Sequence, residues 1–296
     1  RVRLLVDSSA TVLKLKDVYA TMLRDNNIRV RYYNQTESPI TNFMKANQRN
    51  HRKSLVIDGA EAITGGRNIG SEYFDLSHEY NFLDTDVYIK GSIAKTIKDS
   101  FDSNWFSPLS SEPKYLVLRK GNEKEYKQQT AKALQMITFS ERDKAFRPAI
   151  DQMGPEMLKE QYSTTCNNST FVSDMPSDNK NSRRVLPTIK SIVGKATQSM
   201  SVESPYFVIS EMGTQVFNAL LSKPGFSLNI QTNSLASTDA SYTTAAFYPK
   251  VSEWTSRGVN MWIYKGDIPD PNTYMRTPVF PKDPVWGTHS KRAVVD

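Results

Sequence analysis

Two segments far apart in the chain share the same ionisable residues at the same spacing. HRKSLVID spans His51–Asp58 and HSKRAVVD spans His289–Asp296, so both read His-x-Lys-x4-Asp. They contain two of the three histidines in the chain. A histidine beside a lysine suits a phosphate group, because the ammonium neutralises a non-bridging oxygen while the imidazole attacks phosphorus or moves a proton. The repeated spacing therefore predicts phosphate chemistry.

We expect each histidine and its lysine to project together from a strand. Residues two apart on a strand point to the same face, which pairs His51 with Lys53 and His289 with Lys291. A solvated strand face would explain one such pair alone, but the second copy favours catalysis. The remaining histidine, His78, lies in a polar loop and is interpreted as a bystander.

The two aspartates that end the segments have a different predicted role. Asp58 and Asp296 stand an odd number of residues from their lysines, at the ends of the expected strands, so we interpret them as structural anchors. A metal site is not expected, because the lysine would repel a cation and no His, Cys or carboxylate cluster has ligand spacing.

Further candidates follow the first segment. Gly65, Gly66 and Asn68 form a Gly-Gly-x-Asn loop whose amides could donate to phosphate oxygens; the alternative is an ordinary tight turn. Asp84 precedes a predicted strand and is expected to accept a hydrogen bond from the ring of His51, which would fix its tautomer. An exposed carboxylate at a strand entry is the alternative for Asp84.

Strands alternate with helices around both segments, which predicts an α/β fold with a parallel or mixed sheet. Asp58-Gly59 predicts a hairpin turn, and a helix through about Met200 is expected before a strand at Ser201–Ile209. The polar stretch 164–182 is the best boundary, so we expect halves at 1–180 and 181–296. The strand, helix and strand of each half are predicted at Arg3–Asp7, Val12–Arg24 and Ile28–Tyr33, and at Ser227–Thr232, Tyr242–Arg257 and Val259–Tyr264.

Composition and charge favour a globular protein with anionic partners. The chain has 296 residues, 38 Lys and Arg against 31 Asp and Glu, and one cysteine. A single cysteine excludes an internal disulfide framework. Six of the seven excess positive charges lie in residues 1–58, where eleven Lys and Arg stand against five Asp and Glu. The second segment lacks a following Gly-rich loop and the first half starts directly on a strand, so we expect a chain trimmed at both ends.

These residues together resemble the phospholipase D superfamily, whose signature is a duplicated His-x-Lys-x4-Asp followed by a Gly-Gly or Gly-Ser-x-Asn loop. Tyr73-Phe74, Asp84–Val87, Ser204–Phe207 and Thr232–Leu235 are most similar to bacterial cardiolipin synthases and related phospholipases. The resemblance implies two similar α/β/α sandwich halves with mixed sheets, related by a pseudo-two-fold axis, whose two segments serve one site.

The mechanism that the resemblance implies uses no metal and no cofactor. His51 would attack the phosphodiester to form a phosphohistidine, with Lys53 and Lys291 on the phosphate oxygens. His289 would act as general acid and base. The residues alone do not decide which histidine is the nucleophile.

The leading hypothesis is an enzyme at a membrane surface that acts on anionic or zwitterionic phospholipids. Water as acceptor would give phosphatidic acid, and an alcohol would give a cardiolipin synthase-like transfer. One alternative is a nuclease of the same superfamily, although sustained alternation of basic and aromatic residues, typical of a strand channel, is missing. Another is a lipid-binding module whose site has lost activity, against which the intact pair of segments argues.

Overall fold

The computed structural model describes residues 2–7, 17–35, 49–77, 79–137, 148, 151, 163–175, 183–267 and 284–296. His78 and the residues just before the first helix lie outside these ranges. Within them the chain forms mixed α/β structure with parallel and antiparallel strand pairs, which confirms the predicted fold class. In the part of the chain that the structure describes, no helix combines the length and apolarity needed to cross a bilayer.

The described residues form twelve strands and six α-helices, besides a short 3₁₀ turn at Ser71–Tyr73. The strands are β1 Val2–Asp7, β2 Ile28–Tyr33, β3 Ser54–Ile57, β4 Glu61–Gly65, β5 Tyr80–Leu83, β6 Asp86–Lys90, β7 Ser110–Ser111, β8 Ser199–Glu203, β9 Ser227–Asn233, β10 Asn260–Tyr264, β11 Val285–Thr288 and β12 Arg292–Val295. The helices are α1 Asp17–Asp25, α2 Ser92–Trp105, α3 Glu123–Ile137, α4 Val185–Gly194, α5 Glu211–Leu221 and α6 Ser241–Ser256.

The chain divides into two compact units. Unit 1 comprises 1–62, 90–144 and 163–183, and unit 2 comprises 63–89, 145–162 and 184–296. The division falls inside β4 and again inside β6. Unit 2 therefore contains a stretch of the first half, from the Gly-rich loop to Asp84. The boundary predicted at 180/181 concerns the two sequence repeats and stays a prediction.

Unit 1 contains a three-stranded sheet in the order β1-β2-β7. Strands β1 and β2 run parallel, from Val2 opposite Ile28 to Asp7 opposite Tyr33. Parallel neighbours need a crossover, and α1 lies between them in the chain as the apolar spacing predicts. The apolar side chains of β2 provide the buried layer of this sheet.

Unit 2 contains a four-stranded sheet in the order β10-β9-β8-β12. The first three strands run parallel and β12 is antiparallel to β8. Alternate residues of these strands point to one face, where they pack with three helices. The buried core cluster of this unit is formed by Val193, Ala196, Met200, Phe207, Phe217, Leu220, Leu228, Ile230, Phe247, Trp254 and Val259.

One sequence expectation is wrong here, and another is confirmed. The helix expected through about Met200 ends at Gly194, and Met200 lies on β8 opposite Leu228. The apolar residue continues the buried face of the sheet rather than a helix stripe. The hairpin at Asp58-Gly59 is confirmed, with φ of 50° and 72° at the two turn residues, values that the mirror-image turns of hairpins require.

The His-x-Lys pairs do not lie on strands, contrary to the expectation. Residues 51–53 precede β3, and residues 289–291 lie between β11 and β12. In the second case the reason is topological. Strand β11 pairs with β5 in a two-stranded sheet, whereas β12 pairs with β8 in the four-stranded sheet. The chain must leave one ladder to enter the other, and His289–Lys291 is the connection.

Candidate active site

The site in unit 2 is built where two parallel strands end. Strand β11 runs parallel to β5, with Thr288 opposite Leu83. The next residues along the chain are His289 and Asp84. Because the carboxyl ends of parallel strands meet at one edge of a sheet, the two side chains emerge side by side. The amide of His289 also donates to the Leu83 carbonyl at 2.7 Å, which continues the pairing one residue beyond the ladder.

Asp84 and His289 form a buried pair. The distance from Asp84 Oδ2 to His289 Nδ1 is 2.8 Å, and the Asp84 side chain is 0% exposed. Burial disfavours the charged carboxylate, but the bonds from His289 and from the Thr85 amide outweigh it, so the pKa of Asp84 is lowered from its ordinary value. An ionised carboxylate only accepts hydrogen bonds. Nδ1 of His289 therefore carries the proton in this bond.

The predicted partner of Asp84 was the wrong histidine. The sequence predicted a bond to His51, and the ring that Asp84 contacts in the structure is that of His289. Asp84 and His51 stand in the same sequence half, which made them a natural pair. The parallel pairing of β5 with β11 instead joins residues 205 positions apart.

Lys291 lies against the imidazole of His289. Its Nζ is 2.9 Å from Nε2 and 3.1 Å from Nδ1. Partial burial lowers the pKa of the Lys291 ammonium, while the charges of Asp84 and Asp239 act in the opposite direction. An ammonium only donates, so Nε2 accepts from it. The His-x-Lys pair converges as expected, although it does so from a connecting segment rather than from a strand.

Three aromatic rings surround the imidazole. Tyr73 contacts it edge-on with ring centroids 5.1 Å apart, Phe82 lies at 5.1 Å, and Tyr206 lies at 6.2 Å. Tyr73 also stacks on Phe82 at 4.7 Å. Burial raises the pKa of Tyr73 to about 12. These rings restrict the rotation of His289 and reduce the access of water to its inner face.

The backbone before His289 is held by a buried amide. Nδ2 of Asn233 donates to the Thr288 carbonyl at 2.8 Å, and its Oδ1 accepts from the Thr288 amide at 2.9 Å. The Thr288 hydroxyl donates to Glu203 Oε1 at 2.6 Å. Both peptide groups of Thr288 are thus fixed from β9, and the position of the segment that begins at His289 is set by the four-stranded sheet.

The predicted phosphate loop is packed against protein carboxylates. Neither Gly65 nor Gly66 has a positive φ. A Cβ on Gly66 would lie 2.3 Å from Asp84 Oδ1, and a Cβ on Gly65 would lie 2.1 Å from Asp86 Oδ1. The glycines are therefore explained by close approach of the strand that carries Asp84, not by unusual backbone angles.

The donors of this loop already have partners inside the protein. The Gly66 amide donates to the Thr85 carbonyl at 3.3 Å, and Asn68 Nδ2 donates to the Tyr73 hydroxyl at 2.6 Å. Asn68 thus reaches the site through the ring that contacts His289. Its binding of phosphate, like that of Gly65 and Gly66, stays a prediction.

The first His-x-Lys segment lies in unit 1. His51 is exposed, and Lys53 Nζ donates to the His51 carbonyl at 2.9 Å. Between them, Arg52 reaches inward to Asn104 Oδ1 at 2.9 Å and to the Asp174 carbonyl. Alternate residues therefore point in different directions, with the arginine anchored and the histidine outward.

The two terminal aspartates of the segments have structural contacts. Asp296 accepts hydrogen bonds from the amides of Thr197, Gln198 and Ser199 at 3.0–3.1 Å, and also from the Thr197 hydroxyl. These bonds, that of the Ser199 amide first, lower the pKa of Asp296. Asp58 occupies the first turn position of the hairpin. Both placements agree with the anchoring role that the spacing indicated.

Several residues of the site were not predicted as such. Tyr73 and Tyr206 were noted only for resemblance or as core aromatics, and Asn233 and Glu203 had no predicted role. Asp239 accepts from the Tyr206 hydroxyl at 2.6 Å and acts on the Lys291 charge. No spacing in the sequence marks these contacts, because each joins separate elements. Among the described residues, no group of three or more His, Cys, Asp or Glu side chains is arranged to hold a metal ion.

Comparison with known proteins identifies one matching family model and several proteins of similar sequence. Residues 1–105 match the family model described as cardiolipin synthase, PLD-like domain. Over 280 residues the chain is 28% identical to an uncharacterised protein of Helicobacter pylori, covering 90% of this chain and 55% of that protein. It is 28% identical over 299 residues to cardiolipin synthase C of Escherichia coli, covering 90% of this chain and 58% of that protein.

Other relatives match locally or in fold. Cardiolipin synthase 2 of Bacillus cereus is 37% identical over 106 residues, which cover 36% of this chain and 20% of that protein. The crystal structure of phosphatidylserine synthase from Haemophilus influenzae superposes with a TM-score of 0.55 at 12% identity, covering all of this chain and 63% of that one. The chain spans about half the length of the curated relatives that it matches along most of its own length. The resemblance of this chain to cardiolipin synthase-like proteins of the phospholipase D superfamily is thereby confirmed, together with a mixed α/β fold of the phospholipase D type.

Proposed function

We propose that this chain transfers phosphatidyl groups between alcohols on glycerophospholipids, through a phosphohistidine. The observation that carries the proposal is the His289 ring, whose Nδ1 proton is held by the buried carboxylate of Asp84 while the Lys291 ammonium lies 2.9 Å from Nε2. A ring of fixed tautomer with an ammonium beside its free nitrogen suits proton transfer at a phosphate oxygen.

The reaction divides into two displacements at phosphorus. Nε2 of His51 attacks, a P–N bond forms, and the P–O bond to the leaving alcohol breaks as that oxygen takes a proton from His289. The acceptor alcohol then gives its proton to His289, its oxygen bonds to phosphorus, and the P–N bond breaks. This assignment of nucleophile and acid follows the family resemblance.

Lys291 and Asp84 have separate roles in this scheme. Asp84 orients the imidazole and stabilises its protonated form, which gives a proton in the first step and forms again in the second. The Lys291 ammonium, which is bonded to Nε2 when the site holds no phosphate, moves to a non-bridging oxygen of the substrate, where it offsets the charge that develops. That move also frees Nε2 to take up from solvent the proton that it gives to the leaving alcohol in the first step. Lys53 is proposed to act on the phosphate in the same way.

A phospholipid substrate is supported by the relatives and by charge. Cardiolipin synthase C and phosphatidylserine synthase are the names of proteins similar to this chain in sequence and in fold. The chain itself carries a net charge of +7, concentrated before the first segment, which favours an anionic substrate. Among phosphodiesters we therefore favour phosphatidylglycerol as donor and an alcohol or water as acceptor.

The proposal is tested by incubating the chain with phosphatidylglycerol vesicles in the presence and absence of added deuterated glycerol, because transfer to unlabelled glycerol would only regenerate the donor. We expect mass spectrometry to detect new glycerophospholipid products with wild type. We expect these products to be absent with the His289→Asn variant. Lys95→Gln, a substitution in an exposed ion pair with Asp99, is the control and should retain activity. Products in wild type and in the His289→Asn variant alike would contradict the assignment.

Two other outcomes would replace the proposal. Cleavage of DNA that is lost in His51→Asn and His289→Asn, with lipids unchanged, would favour the nuclease of the same superfamily. Binding of lipid with no turnover of any phosphodiester would favour a module without activity.

A further inference from the structure

Helix α4 of unit 2 exposes a stripe of three large aliphatic side chains. Leu186, Ile189 and Ile192 are 45%, 50% and 49% exposed. Residues three apart lie on the same side of a helix, so the three side chains form one continuous strip. Val193 is four residues after Ile189 and so lies on the same side of the helix; it is buried in the core, as is Ala196 just beyond the helix. The strip therefore borders the contact between the helix and the core, and its three side chains remain half-exposed.

Basic residues flank this strip, and acidic residues are missing from its sequence. Arg183, Lys190 and Lys195 are exposed. From Arg183 to Lys195 the sequence is RRVLPTIKSIVGK, with no Asp or Glu. Single exposed aliphatic residues are common on protein surfaces, but a strip of three bordered by cations is not explained by chance exposure. The combination is typical of helices that lie in a membrane interface.

We propose that α4 is a docking surface for bilayers that contain anionic phospholipid, and that Leu186, Ile189 and Ile192 enter the boundary between headgroups and acyl chains. Lys190 lies between the apolar residues and would extend its long side chain to the phosphates, as lysines do at interfaces. Arg183 and Lys195, at the two ends of the helix, would contact headgroups on either side. The surface is separate from the basic segment 1–58 on which the sequence argument for a membrane partner rested.

A lipid surface fits this helix better than a protein partner does. A stable protein interface buries about 800 Å² on each side and involves some 20–30 residues; three half-exposed side chains on a ten-residue helix offer far less. A second copy of the chain would also bring two uniformly basic helices together, and like charges repel. Anionic headgroups complement both the cations and the aliphatic strip.

The inference does not depend on the proposed reaction. None of its residues contributes to the His289 site, and it is read out by binding rather than by turnover. His289→Asn is expected to bind vesicles as wild type does. Failure of the transfer reaction would therefore leave the docking surface untouched, and failure of docking would leave the chemistry of His289 untouched.

The experiment is vesicle flotation with two lipid compositions, phosphatidylcholine alone and phosphatidylcholine mixed with phosphatidylglycerol. We expect wild type to bind the mixed vesicles more tightly. The triple variant Leu186→Gln, Ile189→Gln, Ile192→Gln should lose at least about tenfold in affinity, since the apolar contribution is removed. Lys190→Glu should weaken binding by about fivefold or more, and only to the anionic vesicles.

The matched control replaces two aliphatic residues of similar exposure elsewhere, Leu118→Gln and Leu134→Gln, at 59% and 57% exposed. It should bind as wild type does. Thermal unfolding of each variant verifies folding, and glutamine is well tolerated in helices. Unchanged vesicle binding by a folded triple variant would overturn the proposal. So would sedimentation showing that wild type is a dimer and the triple variant a monomer, because the strip would then bind a second copy.

Discussion

A buried carboxylate bonded to one nitrogen of an imidazole decides which nitrogen carries the proton. Asp84 does this for His289, and its lowered pKa keeps it ionised across the neutral range. The same carboxylate lies 2.3 Å from where a Cβ on Gly66 would stand. Orientation of the ring therefore depends on a glycine 18 positions earlier in the chain. Two substitutions test separately how the charge of Asp84 and the space left by Gly66 contribute to the orientation of the His289 ring.

Replacing Asp84 by asparagine preserves shape and removes the charge. The amide can present its NH2 group to Nδ1, which would favour the opposite tautomer. We expect kcat for phosphatidyl transfer to fall by on the order of 10²–10⁴, with little change in KM. Nitrogen NMR of the imidazole should show the proton leaving Nδ1 of His289. The control Asp99→Asn changes an exposed carboxylate in an ion pair with Lys95; equal loss in both variants would contradict the orienting role.

Replacing Gly66 by alanine tests the space that Asp84 occupies. The added methyl group would displace the carboxylate or the strand that carries it, at a cost of about 1–3 kcal/mol in the free energy of unfolding. Activity should fall more than stability alone explains, because the carboxylate moves away from His289. Gly194→Ala, at a helix end with open space around its Cβ position, should be neutral or slightly stabilising. Urea unfolding and initial rates provide the two measurements.

At the residue scale, the contacts that could not be predicted are those between residues far apart in the sequence. His289 and Lys291 were identified because their type and spacing repeat, and this information is local. The Asp84 partner was assigned to the wrong ring, and Asn233 and Tyr73 were not assigned a role. Their contacts depend on which strands become neighbours, and no local pattern reports that.

At the scale of elements, the site is a consequence of strand pairing. Most strands and helices were predicted within a few residues, because buried strands and amphipathic helices leave apolar patterns. The pairing of β5 with β11 was not predicted, and it is what brings Asp84 to His289. The expectation that His-x-Lys lies on a strand failed for the same reason, since β11 and β12 join different sheets.

Asp296 connects β12 to the start of β8, and this connection should depend on pH. Its pKa is lowered in the folded chain, so it contributes stability above its unfolded pKa of about 3.9 that is lost as pH falls through the lower folded value. We expect Asp296→Asn to be less stable than wild type at neutral pH, and the difference to shrink in acid. Melting temperatures from pH 7 downwards measure it. Glu79→Gln, an exposed carboxyl on another element, should show no such convergence.

Across the whole molecule, duplication has produced two similar segments in different surroundings. His289 is buried and bonded to a carboxylate, whereas His51 is exposed in unit 1. The sequence predicted the repeat and the α/β class, because duplication and alternation of elements are properties of the chain itself. It did not predict the difference between the two histidines, which arises from their separate environments. A difference of this kind favours a division of labour between nucleophile and proton carrier.

A substrate whose leaving group needs no proton separates the two roles. Nitrophenolate leaves without a general acid, so phosphatidyl-nitrophenol should still react in His289→Asn if His51 is the nucleophile. We expect that variant to release a burst of nitrophenol equal to the enzyme concentration and then to stall, because no base activates the acceptor. His51→Asn should give no burst. A phosphate adduct on the stalled protein that is labile in acid and stable in base, detected by mass spectrometry, would identify the phosphohistidine. A burst from His51→Asn and none from His289→Asn would reverse the assignment and make the histidine held by Asp84 the nucleophile.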